Sequence, residues 1–94
     1  MATLYQELTI WERRDERTAI RYVCLMNSAT RKYSVQSADF YRVPVRPEDF
    51  VDFQRQFVEL FCDRDPCERS GAFDSPEAAI AAHQEQFDRQ PSGR

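Results

Sequence analysis

The stretch Val45-Arg46-Pro47-Glu48-Asp49 marks the point where the sequence changes from strand-like to helix-like patterning. Before it, short apolar runs rich in β-branched and aromatic residues alternate with polar clusters, which is typical of strands. After it, large apolar side chains recur at helical spacing. They are Phe50, Phe53, Phe57, Leu60 and Phe61. The order of elements is therefore strands first and helices second, which predicts an α+β fold.

Three strands are predicted upstream of this point, over residues 4–11, 18–26 and 32–43. The second segment has apolar residues at both odd and even positions, which is typical of a central strand covered on both faces. Short connections favour a three-stranded antiparallel meander. The middle of the third segment, residues 36–39, is polar, and we expect a bulge or a break there.

Two helices are predicted downstream, giving the order β-β-β-α-α. The first begins at Pro47, which suits the first helical position, and runs to about Asp63. A loop follows, and Ser75 and Pro76 then supply an N-cap and a first residue for a shorter C-terminal helix. We expect both helices to pack on one face of the sheet. The expected core members are Leu8, Ile10, Ile20, Tyr22, Val23, Leu25, Val35, Phe40, Phe50, Phe53, Phe57, Leu60, Phe61, Ile80 and Phe87.

Length and charge limit the kinds of protein that this chain can be. Its 94 residues, 41% of them hydrophobic, suit one globular domain, predicted as 1–90 with a disordered tail at 91–94. Residues 1–46 carry eight Lys/Arg and five Asp/Glu, a net +3, whereas residues 47–94 carry five and eleven, a net −6. The N-terminus lacks the pattern of a signal peptide, and three cysteines, an odd number, fit a reducing compartment. These features predict a cytoplasmic location without membrane contact.

Cysteine and histidine residues are the candidates for chemistry. Cys62 and Cys67 could form a redox pair, or they could bind zinc together with His83 and Cys24. The acidic residues around Cys62 and Cys67 disfavour a thiolate, and the only two glycines, at 71 and 93, form no phosphate-binding loop. We therefore assign no catalytic, cofactor-binding or metal-binding residue, and we expect no cofactor. A chemical role for the cysteines and the histidine stays open.

Aromatic and basic residues of the strand half form the candidate partner-binding set. They are Tyr5, Trp11, Arg21, Tyr33, Tyr41 and Arg42. Tyr, Trp and Arg dominate protein–protein hot spots, and they also stack on nucleic-acid bases. The net acidity favours protein, so we expect a non-catalytic protein-interaction module that binds another protein or a second copy as a homodimer. A nucleic-acid-binding sheet is the alternative, and a small thiol- or metal-dependent enzyme is the second alternative.

Overall fold

Residues 3–89 are described by the computed structural model, and they form three strands followed by three helices. The elements are β1 (Tyr5–Arg13), β2 (Thr18–Asn27), β3 (Tyr33–Arg42), α1 (Pro47–Asp63), α2 (Pro66–Ser70) and α3 (Pro76–Arg89). The predicted α+β order, with a long helix and then a shorter one, is confirmed. The predicted disordered tail at 91–94 lies outside the described residues.

The short helix α2 lies within the segment that the sequence predicted to be a loop. The side chain of Asp65 accepts a hydrogen bond from the backbone N–H of Cys67 at 2.8 Å, and Pro66 occupies the first turn. Both are helix-starting features. The helix ends at Ser70 because Gly71 follows with a φ of 87°, a conformation that glycine adopts without strain.

The sheet is an antiparallel meander with β2 in the centre. Between β2 and β3 the register shifts, because Val23 opposes Ser37 while Cys24 opposes Val35. Gln36 is therefore an extra residue on β3, and the bulge predicted within residues 36–39 is confirmed.

The two faces of the sheet carry different helices. On one face, which we call the α3 face, Cys24 and Val35 pack with Ala79 of α3. On the other, the α1 face, Tyr41 stacks on Phe50 with ring centroids 4.9 Å apart. The expectation that both helices share one face, leaving the other open, is therefore wrong.

The chain changes faces by passing around the outer edge of β3. The hydroxyl of Ser34, on the α1 face, donates to the carbonyl of Gly71 at 2.6 Å, which holds the end of α2. Phe73 then pairs with Tyr33 through two backbone hydrogen bonds of 2.7 and 2.9 Å. This bridge fixes the crossing point, after which α3 continues on the opposite face. Local sequence patterns cannot specify such a crossing, because it depends on where residue 73 meets a strand forty residues earlier.

Helix α1 crosses its face diagonally. It begins beside Tyr41 at the end of β3, and near its own end Phe61 contacts Tyr5, at the start of β1, with ring centroids 5.5 Å apart. Because β1 and β3 run in the same direction, these two contacts lie at opposite ends of the sheet. The diagonal leaves the second half of β1 uncovered, and Trp11 is 55% exposed there.

Burial confirms only part of the predicted core. Ile20, Tyr22, Val23, Leu25 and Val35 are buried. The expected burial of Leu8, Phe40, Phe50 and Leu60 is wrong, since all four are exposed. The remaining predicted members, Ile10, Phe53, Phe57, Phe61 and Ile80, are partly buried, and the side chain of Phe87 lies outside the described residues. Within residues 3–89, no helix is both long and apolar enough to cross a membrane.

Candidate interaction surface

An aromatic and arginine cluster occupies the uncovered corner of the α1 face. Trp11, Arg21 and Asp39 are direct neighbours across the three strands. The guanidinium carbon of Arg21 lies 5.8 Å from the ring centroid of Trp11 and 5.4 Å from that of Tyr41, distances at which a cation and an aromatic ring attract each other. The two ring centroids are 5.8 Å apart. We call Trp11, Arg21, Tyr41 and Phe50 the Trp11 corner.

The arginine of this corner is held in place by a carboxylate. Its Nε and Nη2 both donate to Oδ2 of Asp39, at 3.1 and 2.8 Å, and Asp39 is buried. The opposite charges of Arg21 and Asp39 neutralise each other, and the two hydrogen bonds fix the guanidinium near the rings of Trp11 and Tyr41. Burial also raises the pKa of Tyr41 above its ordinary value. The corner therefore combines aromatic rings with a guanidinium whose charge is paired, and the Trp11 side chain in it is exposed.

A groove of about 520 Å³ lies beside the corner, between the end of β3 and the β1–β2 turn. It is lined by Arg14, Asp15, Thr18, Phe40, Tyr41 and Arg42. Phe40 is 57% exposed, and Nη1 of Arg42 is 3.5 Å from the hydroxyl of Thr18. Arg42 alternates with Tyr41 along β3, so it points to the α3 face. It is adjacent to the Trp11 corner without being part of it.

Two residues of the predicted partner-binding set lie elsewhere. The hydroxyl of Tyr5, at the far end of β1, donates to Oδ2 of Asp65 at 2.7 Å. Burial and this hydrogen bond raise the pKa of Tyr5 to about 12. Tyr33 starts β3 and is bonded to Phe73 through its backbone. The structure thus brings Trp11, Arg21 and Tyr41 together and gives Tyr5 and Tyr33 separate contacts within the fold.

The outer edge of β1 is the second feature of this surface. The register of its 9 residues against β2 is unbroken, and the strand contains no proline, glycine or lysine. Just beyond its ends, the N–H of Ser28 donates to the carbonyl of Leu4 at 2.9 Å and that of Arg14 to Thr18 at 3.0 Å. Hydrogen-bonded pairs alternate in antiparallel ladders, so the even-numbered residues of β1 bond to β2. The outward N–H and C=O groups belong to Tyr5, Glu7, Thr9, Trp11 and Arg13.

The outer edge of β3, by contrast, is covered along its first half. Phe73 occupies the backbone groups of Tyr33, and Nη2 of Arg69 donates to the carbonyl of Gln36 at the bulge. Bulges and covering segments are the usual means of preventing a sheet edge from pairing with another chain. The sheet therefore has one bulged edge that is covered at its start and one regular edge with outward backbone groups. The sequence suggests that two edges exist, but which one is covered depends on the position of residue 73.

Thiols and the histidine are spread over the fold. Cys24 lies in the core, where burial raises the pKa of its thiol to about 11. Cys62 is exposed on α1, and the Sγ of Cys67 lies 3.3 Å from the Ser34 hydroxyl. The ring of His83 meets Tyr22 edge-on at 6.2 Å. Among residues 3–89, no three His, Cys, Asp or Glu side chains are grouped closely enough to hold a metal ion.

Comparison with known proteins found no family model, curated protein or solved structure that matches this chain.

Proposed function

We propose that this chain is a non-catalytic protein-interaction module that binds a polypeptide as an additional strand along β1, with the Trp11 corner contacting the bound chain. The observation that carries the proposal is that the free edge and the Trp11 corner share a strand, β1. The unprotected β1 edge contains Trp11 itself, whose backbone groups point outward and whose side chain is exposed. Strand addition to an open edge is a recurrent way of recognising an extended segment.

The two features would supply different parts of the binding free energy. Backbone hydrogen bonds along β1 provide affinity with little dependence on sequence, whereas a pocket or ring beside the edge selects side chains. Trp, Tyr and Arg supply a disproportionate share of interface energy. Since Asp39 already holds the Arg21 guanidinium in place, little freedom of this side chain would be lost on binding.

Charge pairing near the corner favours a protein partner over nucleic acid. Arg21 is bonded to Asp39, Nε of Arg14 lies 3.0 Å from Glu12, and Nη2 of Arg46 lies 3.6 Å from Asp49. Neutralised arginines contribute little to the phosphate attraction that dominates nucleic-acid affinity. Helices also lie over both faces of the sheet, so the Trp11 corner is a small uncovered area, whereas base stacking on a sheet uses a broad open face.

We further propose that the module works in the cytoplasm. The support is the odd number of cysteines together with the burial of Cys24, which packs as an apolar side chain within the core.

Affinity capture with paired variants tests the proposal. Thr9→Pro removes an outward N–H without removing a bond to β2, and edge strands tolerate proline at such positions. Trp11→Ala removes the exposed ring. We expect the wild-type chain to retain a polypeptide stoichiometrically, whether another protein or a differently tagged copy, and both variants to release it.

The control is Val51→Ser, which alters a side chain that is 67% exposed on α1. It should retain the same polypeptide as the wild type, and thermal unfolding should show that all three variants are folded. Retention of the partner by both Thr9→Pro and Trp11→Ala would overturn the proposal, and so would the absence of any retained polypeptide.

A further inference from the structure

We infer that the strand added to β1 is the β1 strand of a second copy, paired antiparallel about a two-fold axis at Thr9 to form a continuous six-stranded sheet. The inference rests on the proposed function and names its partner. A two-fold axis perpendicular to a sheet pairs a strand with itself in antiparallel orientation, and each contact then occurs twice. The unbroken register of β1 makes it geometrically suitable for such pairing.

The sequence of β1 is complementary to itself in this register. Thr9 opposes Thr9, Leu8 opposes Ile10, and Glu7 opposes Trp11, while at the ends Gln6 opposes Glu12 and Tyr5 opposes Arg13. No two like charges face each other. Glu7 of one copy is also the diagonal neighbour of Arg13 of the other, within reach of a long side chain.

The outward backbone groups agree with this register. Tyr5, Glu7, Thr9, Trp11 and Arg13 carry the N–H and C=O groups that are not used by β2, and in the Thr9-centred arrangement these residues oppose one another. All 9 residues of the strand are then paired. An axis at Glu7 would place two carboxylates opposite each other, and an axis at Ile10 would leave Tyr5 and Gln6 without partners. The Thr9-centred register is therefore favoured because it brings no like charges together and pairs the whole strand.

Apolar exposure on β1 supports the same arrangement. Leu8 is 41% exposed on the α3 face, beside the partly buried Ile10. In the pair, each Leu8 would cover the Ile10 of the other copy, which removes apolar surface from water on that face. On the α1 face, each Trp11 would lie over Glu7 and next to Thr9 of the second copy. The free edge would be eliminated, as edge protection requires.

A charge swap at the axis tests both the partner and the register. Thr9 is exposed, so Thr9→Lys and Thr9→Glu should leave the fold intact. We expect sedimentation equilibrium to show a dimer of the wild-type chain at micromolar concentration. The dimer dissociation constant of each variant alone should be higher by about tenfold or more, because like charges meet at the axis. An equimolar mixture of the two variants should recover the dimer, since a lysine then faces a glutamate.

Val51→Lys and Val51→Glu serve as the matched controls, because they introduce the same charges at an exposed position on α1 and should leave the wild-type dimer unchanged. If both Thr9 variants still form the dimer, or if mixing them does not restore it, the Thr9-centred register is wrong. A purified chain that stays monomeric would overturn self-pairing. The proposed function would then survive only if a different protein is captured and Thr9→Pro releases it, so the two failures are distinguishable.

Discussion

Helices α1 and α3 lie on opposite faces of the same sheet, yet they are packed very differently. The 17-residue α1 has the stronger apolar stripe, but none of its residues is buried. Helix α3 has a narrower stripe built largely from alanine, yet Ala79 is only 2% exposed and belongs to the core cluster with Cys24 and Val35. Small side chains let a helix approach the sheet closely, whereas large rings hold it further away.

The contrast shows what helical periodicity does and does not predict. Spacing predicts which side of a helix faces the protein, and this holds for α1, because Phe53 and Phe61 contact Tyr41 and Tyr5. It does not predict how completely that side is covered, which depends on the area of sheet available. A three-stranded sheet crossed diagonally leaves part of a wide apolar stripe in water, and Phe50 is 46% exposed. Exposed apolar surface of this kind often marks an interaction site.

The largest expected effect concerns the tight packing of α3. Ala79→Glu would place an unpaired carboxylate among Cys24 and Val35 and should lower the free energy of unfolding by about 3–5 kcal/mol. Denaturant unfolding measures the loss. The matched control is Ala81→Glu on the exposed side of the same helix, which should change stability by less than about 0.5 kcal/mol. Similar losses for the two variants would mean that α3 does not pack closely on the sheet.

A smaller effect is expected at the centre of α1. Full burial of a phenylalanine makes its replacement by alanine cost about 3–5 kcal/mol, but Phe57 is only partly buried, so we expect Phe57→Ala to cost about 2 kcal/mol. The neighbouring Val58→Ala, at an exposed position, should cost less than about 0.5 kcal/mol. If chemical denaturation gave Phe57→Ala the full cost of a buried ring, α1 would be packed as tightly as α3 and the contrast between the helices would disappear.

The smallest effect is a pH dependence that arises on α3. Burial, with a contribution from Arg69, lowers the pKa of His83 below its ordinary value of 6.5. The folded state therefore favours neutral imidazole, and the unfolded chain takes up the proton more readily as the pH falls through 6.5. The free energy of unfolding should consequently decrease between pH 7.5 and 5.5. Denaturant unfolding at each pH should show a smaller decrease for His83→Gln than for the wild type. An identical pH dependence of the two proteins would contradict the partial burial of His83 in the folded state.

Part of the proposed interaction surface could be predicted from composition. The sequence indicated that aromatic and arginine residues of the strands form a surface, and Trp11, Arg21 and Tyr41 do meet. It could not separate them from Tyr5 and Tyr33, because cross-strand register depends on both turns and on the bulge at Gln36. Nor could it show that Asp39 holds Arg21, since the two residues become neighbours only when β2 pairs with β3.

The sequence by itself determined the order and the limits of the main elements. The beginning of α1 at Pro47, the bulge on β3 and the start of α3 follow from local chemistry, and the hydroxyl of Ser75 accepts a hydrogen bond from the N–H of Ala78 at 3.0 Å, as expected of an N-cap. Tertiary structure decided the rest. The bridge between Phe73 and Tyr33 sends α3 to the opposite face and covers the start of the β3 edge, while the outward backbone groups of β1 are not bonded to β2. Propensities and caps act over a few residues, whereas faces and edges are defined only when distant segments meet.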